Sequence, residues 1–161
     1  FDLKDIYHNY LYPDTARSKS TYSYNPDING DFLVTAVDVE DVDIEADYAV
    51  VHFYLNINKL DIDKSIYVTG NFNGHHLNNF NKMNYNNLKR LYEIELKLKQ
   101  GFYNYKYTVV DSDNKQLNGF ISGNFDETEN NYKIIVYYRN FGSRYDRVIG
   151  YNQINSINVK N

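Results

Sequence analysis

From residue 31 onward a two-residue period dominates the chain and limits it to β structure. Residues 92–98, Tyr92 to Leu98, alternate apolar and charged without a break. Successive side chains of a strand point to opposite faces, so Tyr92, Ile94, Leu96 and Leu98 are expected inward and Glu93, Glu95 and Lys97 outward. In residues 48–57, Ala49, Val51, Phe53 and Leu55 fall on one face and Val50, His52 and Tyr54 on the other. Lys99-Gln100-Gly101 reads as a tight turn into residues 102–111, where Tyr103, Tyr105, Tyr107 and Val109 share a face opposite Phe102, Asn104, Lys106 and Thr108. Residues 31–39, 65–71 and 131–139 are rich in β-branched and aromatic side chains and complete a set of six or so strands. Polar segments at 72–90 and 112–130 separate them, and no run carries a helical period. Strands at this spacing predict an all-β, antiparallel β-sandwich.

Composition agrees with a packed β core. The 161 residues include 18 Tyr and 9 Phe but no Trp. Aromatic residues at 17% can bury much apolar area, which argues against wholesale disorder. The net charge is −4 and the pI about 5.5, so no basic face is implied and nucleic acid is not an expected partner. No stretch approaches the roughly 18 consecutive apolar residues of a membrane span. The absence of Cys removes disulfides, thiolate catalysis and Cys-ligated zinc.

Residues 1–30 differ from the rest. They hold both prolines, Pro13 and Pro26, and the turn signals Asn25-Pro26 and Asn29-Gly30, without sustained periodicity. Five tyrosines (Tyr7, Tyr10, Tyr12, Tyr22 and Tyr24) make the segment too aromatic for a free linker. It reads as an aromatic-rich lead-in, a remnant of or linker from an upstream β domain, ahead of a sandwich over 31–140 and a tail over 141–161.

Catalytic chemistry is hard to find. The acidic run from Asp38 to Asp47 lacks the ligand spacing and the turn glycine of a calcium loop, and reads as a solvated connection. His75 and His76 are adjacent and diverge in an extended segment, while His8 and His52 have no Cys or carboxylate at ligand spacing. There is no Gly-x-Ser-x-Gly turn, phosphate loop or dinucleotide glycine pattern. The expectation is a non-enzymatic chain with no catalytic residue, metal, cofactor or small-molecule ligand. The tail is more informative: it mixes Phe141, Arg144, Tyr145, Arg147 and Tyr151. Arg and Tyr are enriched in binding hot spots, so these five are the candidate partner-binding residues. The alternative is a tail folded back on its own sandwich, with surface Arg–Asp pairs worth little.

Two resemblances carry the reading further. Residues 66–76, with Gly70, Phe72 and Asn73, followed by residues 91–111, with Tyr92, Gly101, Tyr103, Tyr105, Lys106, Tyr107 and Asp111, resemble the glycogen-binding-type E-set module. The resemblance spans about residues 45–138 and implies an immunoglobulin-like (E-set) sandwich. In sugar-binding members two Trp usually stack on the glucan, and His75 and Tyr92 stand at those positions here. His75, Tyr92 and Lys106 are therefore the candidate residues of an alternative, glycan-binding reading.

The second resemblance covers nearly the whole chain. Residues 24–32, 44–55, the Gly70-to-Asn73 segment, 126–139 and 141–151, in that order, are similar to the C-terminal part of the type 9 secretion system plug-protein family of Bacteroidetes. That resemblance implies a non-enzymatic periplasmic protein, associated with the outer membrane, that closes the translocon mouth when no client is engaged. Its partner would be the outer-membrane translocon protein, met through strand edges, end loops and residues 141–151. Family members are longer and begin with a signal peptide and an earlier β domain, and the resemblance implies a natural C-terminus close to residue 161.

Overall fold

A computed structural model describes residues 2–3, 6–24 and 27–156. The chain is an all-β sandwich protein. Its strands are β1 (Asp2–Leu3), β2 (Tyr7–Tyr10), β3 (Asp14–Thr15), β4 (Phe32–Val34), β5 (Tyr48–Asn56), β6 (Ser65–Thr69), β7 (Asn84–Asn86), β8 (Leu91–Lys99), β9 (Gly101–Tyr103), β10 (Lys106–Val110), β11 (Asn131–Tyr138) and β12 (Arg147–Asn155). Residues 1–124 and 125–161 are two compact units. The boundaries expected at 30/31 and 140/141 do not coincide with that division. Residues 7–10 and 14–15 of the lead-in pair with β5, and residues 147–155 of the expected tail form β12. Among the described residues no helix is long and apolar enough to cross a membrane, which says nothing of β-barrels.

In the first unit the larger sheet runs β1-β2-β5-β8-β7, with β3 also beside β5. The β5/β8 pair is antiparallel over eight residues on each strand, from Tyr48 opposite Lys99 to Leu55 opposite Tyr92. It keeps the apolar sets of both strands on one face, as the alternation requires. β2 and β3 join β5 in parallel, a pairing that short antiparallel turns cannot produce and that local sequence does not announce. The second layer contains the antiparallel pairs β10/β6 and β4/β9.

The core lies between the layers. Phe53 and Leu55 of β5 and Tyr92 of β8 pack with Ile66 and Val68 of β6, Tyr107 and Val109 of β10, Met83 and Ile121. Val51, Ile94, Leu96, Leu98 and Tyr105 pack against this cluster. Thr69 and Thr108 are also buried, and their hydroxyls satisfy each other at 2.7 Å. Tyr105 and Tyr107 both donate to one carboxylate oxygen of Asp14, each at 2.7 Å. Burial, and then the bond to Asp14, push both phenols well above their ordinary range. The lead-in is thereby tied to the sandwich.

The acidic connection forms a single helical turn, α1 (Val42–Glu45). Asp41 caps it by accepting from the Asp43 N–H, while Glu45 accepts from the Asp41 N–H. This single turn is below the length at which a helical period can be read, so the sequence reading missed it. Of the turn signals in the lead-in, Asn29-Gly30 makes a turn with both residues at positive φ, while Asn25-Pro26 lies outside the described residues.

Candidate functional site

The second unit holds the five residues singled out as partner-binding. β11 and β12 pair antiparallel from Asn131 opposite Asn155 to Tyr138 opposite Arg147, with a bulge next to Val136/Tyr137. At the base, Ser156 and Asn130 lock the strands: the Ser156 N–H donates to the Asn130 carbonyl and the Asn130 N–H to Ser156 Oγ. At the tip, Arg139 forks onto both oxygens of Asp146, at 2.7 and 2.9 Å. The pair raises the Arg139 pKa further. Gly142 takes the left-handed conformation, φ 82°, that the reversal needs.

All five are brought to this hairpin. Phe141, Arg144 and Tyr145 lie in the tip, and Arg147 and Tyr151 on β12. All are exposed, Phe141 fully. The ion pair expected among the tail's own arginines forms with Arg139, just past the end of β11, instead, and Arg144 and Arg147 have no ion-pair partner among the described residues.

The alternation of the hairpin is unusual for a surface element. The register puts Tyr132, Ile134, Val136 and Ile154 on one face and Ile135, Tyr137, Val148 and Tyr151 on the other. Every one of these is exposed. A two-stranded hairpin is marginal by itself in water, and a strand apolar on both faces is the pattern of one covered on both. The outer edges of β11 and β12 also carry backbone groups that no strand pairs among the described residues. Sequence reading assigned 131–139 as a strand but missed Ile134, Ile135 and Tyr137 as surface residues. Their signal was the run Ile134-Ile135-Val136-Tyr137-Tyr138, which is apolar at consecutive positions and so cannot hide on one face.

The three residues of the glycan-binding reading do not form a platform. Tyr92 is only 8% exposed, with its ring edge-on to Tyr85 at 5.0 Å and its hydroxyl accepting from the Leu60 N–H. A ring held in the core this way has no face for a sugar, which corrects the expectation for Tyr92. His75 and Lys106 are exposed. His75 ends the Gly70-to-Asn73 turn with φ 55°. That turn has its own structural logic. Asn73 accepts from the Gly70 N–H and donates to the Val68 carbonyl, and Phe72 packs edge-on against Tyr103 at 5.6 Å.

His8 and His52, which have no Cys or carboxylate at ligand spacing in the sequence, meet each other on the outer face of the large sheet because β2 runs parallel to β5. His52 lies between Tyr10, stacked at 4.2 Å, and Glu95, whose carboxylate is 3.6 Å from Nδ1. Among the described residues no three His, Cys, Asp or Glu side chains converge as a metal site.

The chain is similar to a solved protein. That structure is of a hypothetical protein from Parabacteroides merdae ATCC 43184, determined at 2.30 Å resolution. The two share 40% sequence identity with a TM-score of 0.78 over 96% of this chain, and the chain spans 39% of the other's length. No family model matches the sequence, and no curated protein matches it.

Proposed function

We propose that this chain is a non-enzymatic protein-interaction module of a periplasmic plug subunit, one that closes the type 9 secretion translocon at the outer membrane. The β11/β12 hairpin, apolar and exposed on both faces, is the observation that carries the reading. Contiguous apolar surface of this kind marks an interaction site, and Tyr and Arg around it supply hot-spot chemistry. Phe141, Arg144 and Tyr145 crown the hairpin at the tip, and its two strand edges, unpaired among the described residues, offer main-chain pairing to a partner. The ordered motifs that resemble the plug family, and a Parabacteroides source for the similar structure, support the same reading.

The partner in this reading is the outer-membrane translocon protein. The scaffold would be of the immunoglobulin-like E-set type, which the Gly70-to-Asn73 turn and the tyrosine-rich β9–β10 strand support. A glycan-binding role finds less support, since Tyr92 is committed to the core. Co-purification of the full-length protein with the translocon barrel tests the proposal. Association that depends on the hairpin supports it. No association, or unchanged pore leakiness when the protein is deleted, argues against it.

A further inference from the structure

In the second layer, β9 has a strand on one side only among the described residues. Backbone groups of a strand alternate in direction, and along residues 100–110 the alternation can be followed. The Asn104 N–H donates to the Asp31 carbonyl and the Thr35 N–H to the Gln100 carbonyl, so the even-numbered residues of β9 aim at β4. On β6, Val68 and Ile66 turn their groups away, to Asn81 and Met83. Its remaining residues therefore aim at Lys106, Thr108 and Val110, their partners in the register. Both neighbours thus lie on the same side. The odd-numbered residues Gly101, Tyr103, Tyr105 and Tyr107 direct their backbone groups to the other side, where no strand pairs with β9 among the described residues.

A cleft lies against this edge. It holds about 510 Å³ and is walled by Tyr7, Asn9 and Leu11 of the β2 segment, Val51 of β5, and Tyr103 and Tyr105. No residue of β4 or β6 lines it. The larger sheet therefore continues, through β2, past the last strand of the smaller layer. Beyond Tyr105 the gap is bridged: β3 pairs with β5, Asp14 takes the two tyrosine hydroxyls, and the Arg17 N–H reaches the Ile121 carbonyl. Next to Gly101 and Tyr103 nothing equivalent crosses among the described residues.

We propose that the cleft accepts an extended segment of a partner polypeptide, added as a strand to the open edge of β9, with apolar side chains at alternate positions entering between the layers. The unpaired groups recur at every second residue, which is the repeat of an extended strand and not of a compact ligand. Two of the polar handles are engaged: the Tyr103 hydroxyl donates to the Lys99 carbonyl and Tyr105 to Asp14. An incoming segment meets the apolar side chains of Leu11, Val51 and Leu98 and the strand edge, while Asn9, Asp47, Lys99 and Gln100 add polar groups to the lining. The occupant is thus a peptide with small or branched apolar residues alternating with polar ones. The proposal is independent of the hairpin and adds a second contact surface to the interaction reading.

A phage-displayed library of random twelve-residue peptides, panned on the full chain, provides the probe. Enriched sequences are expected to alternate apolar and polar residues. A synthetic copy of one is expected to lose at least tenfold in affinity when N-methylated at alternate backbone positions, and similarly against Ala49→Phe, which fills the cleft. No enrichment overturns the proposal. So does binding that survives N-methylation, which denotes an apolar pocket without strand addition, and so does equal binding to Ala49→Phe. Co-purification with the translocon barrel alongside a failed selection would leave the hairpin reading standing and remove this one.

Discussion

His8 Nδ1 lies 2.9 Å from His52 Nε2 on the outer face of the large sheet, so the two imidazoles share one proton between facing nitrogens. Burial is the main cause that lowers the His52 pKa below its ordinary value. Glu95 opposes it by raising, His8 and Lys89 add to the lowering, and Glu93 raises weakly. The folded chain therefore resists a proton that the unfolded chain accepts from about pH 6.5 downward. The contribution is fully present above that pH and is lost as pH falls through the lower, folded value. Urea midpoints measured from pH 7.5 to 5 should fall, and the decline should flatten in His52→Phe. A decline of equal slope in the variant would assign it to other groups.

Asp14 holds the lead-in to the sandwich through Tyr105 and Tyr107. Replacing it by Ala strands the Tyr105 hydroxyl and leaves Tyr107 only its longer bond to the Tyr54 carbonyl at 3.3 Å, and each lost bond costs about 1–3 kcal/mol if no water replaces it. Chemical denaturation of Asp14→Ala should show a loss of about 2 kcal/mol or more. Tyr105→Phe and Tyr107→Phe in the Asp14→Ala background should recover part of it. No loss in Asp14→Ala would contradict the tie.

Gly70 is set by space and not by φ, since its backbone is extended. A Cβ there would come within 2.6 Å of the Asn104 carbonyl oxygen and of the Phe72 ring. Gly70→Ala should destabilise by about 1–3 kcal/mol, the usual cost of overpacking, as read from thermal unfolding. Asn73→Ala should destabilise too, because it removes the acceptor of the Gly70 N–H and a donor to Val68.

These residues also mark how far the sequence could be read. The alternation in 48–56 and 91–99 was legible because one face of each strand is buried, and Phe53, Leu55 and Tyr92 lie where it put them. The same alternation had already turned Tyr92 inward, against the motif that offered it to a sugar. The parallel pairing of Tyr7–Tyr10 with β5 was not legible, since a four-residue strand joined across some forty residues leaves no local signal. That pairing is what unites His8 with His52 and forms one wall of the cleft. β12 was hidden for another reason. The bulge near Ile149 and the glycine at 150 break its period, so 147–155 read as tail. The candidate residues there were found by type, Arg and Tyr, before their strand was.

The hairpin makes a prediction of opposite character. Ile135→Lys and Tyr137→Lys alter side chains that are already exposed, so folding of residues 1–124 should change by no more than about 0.5 kcal/mol. Circular dichroism melts of each variant should overlay the parent. A large loss would place these residues in a buried contact.

Association with the partner decides the central claim. The full-length protein and its Ile135→Lys/Tyr137→Lys variant should be isolated from the outer membrane by affinity capture of the translocon barrel. The parent should co-purify with the barrel, while the variant, folded and equally abundant, should be lost from it. Recovery of both in equal amounts, or of neither, would contradict a hairpin-mediated plug.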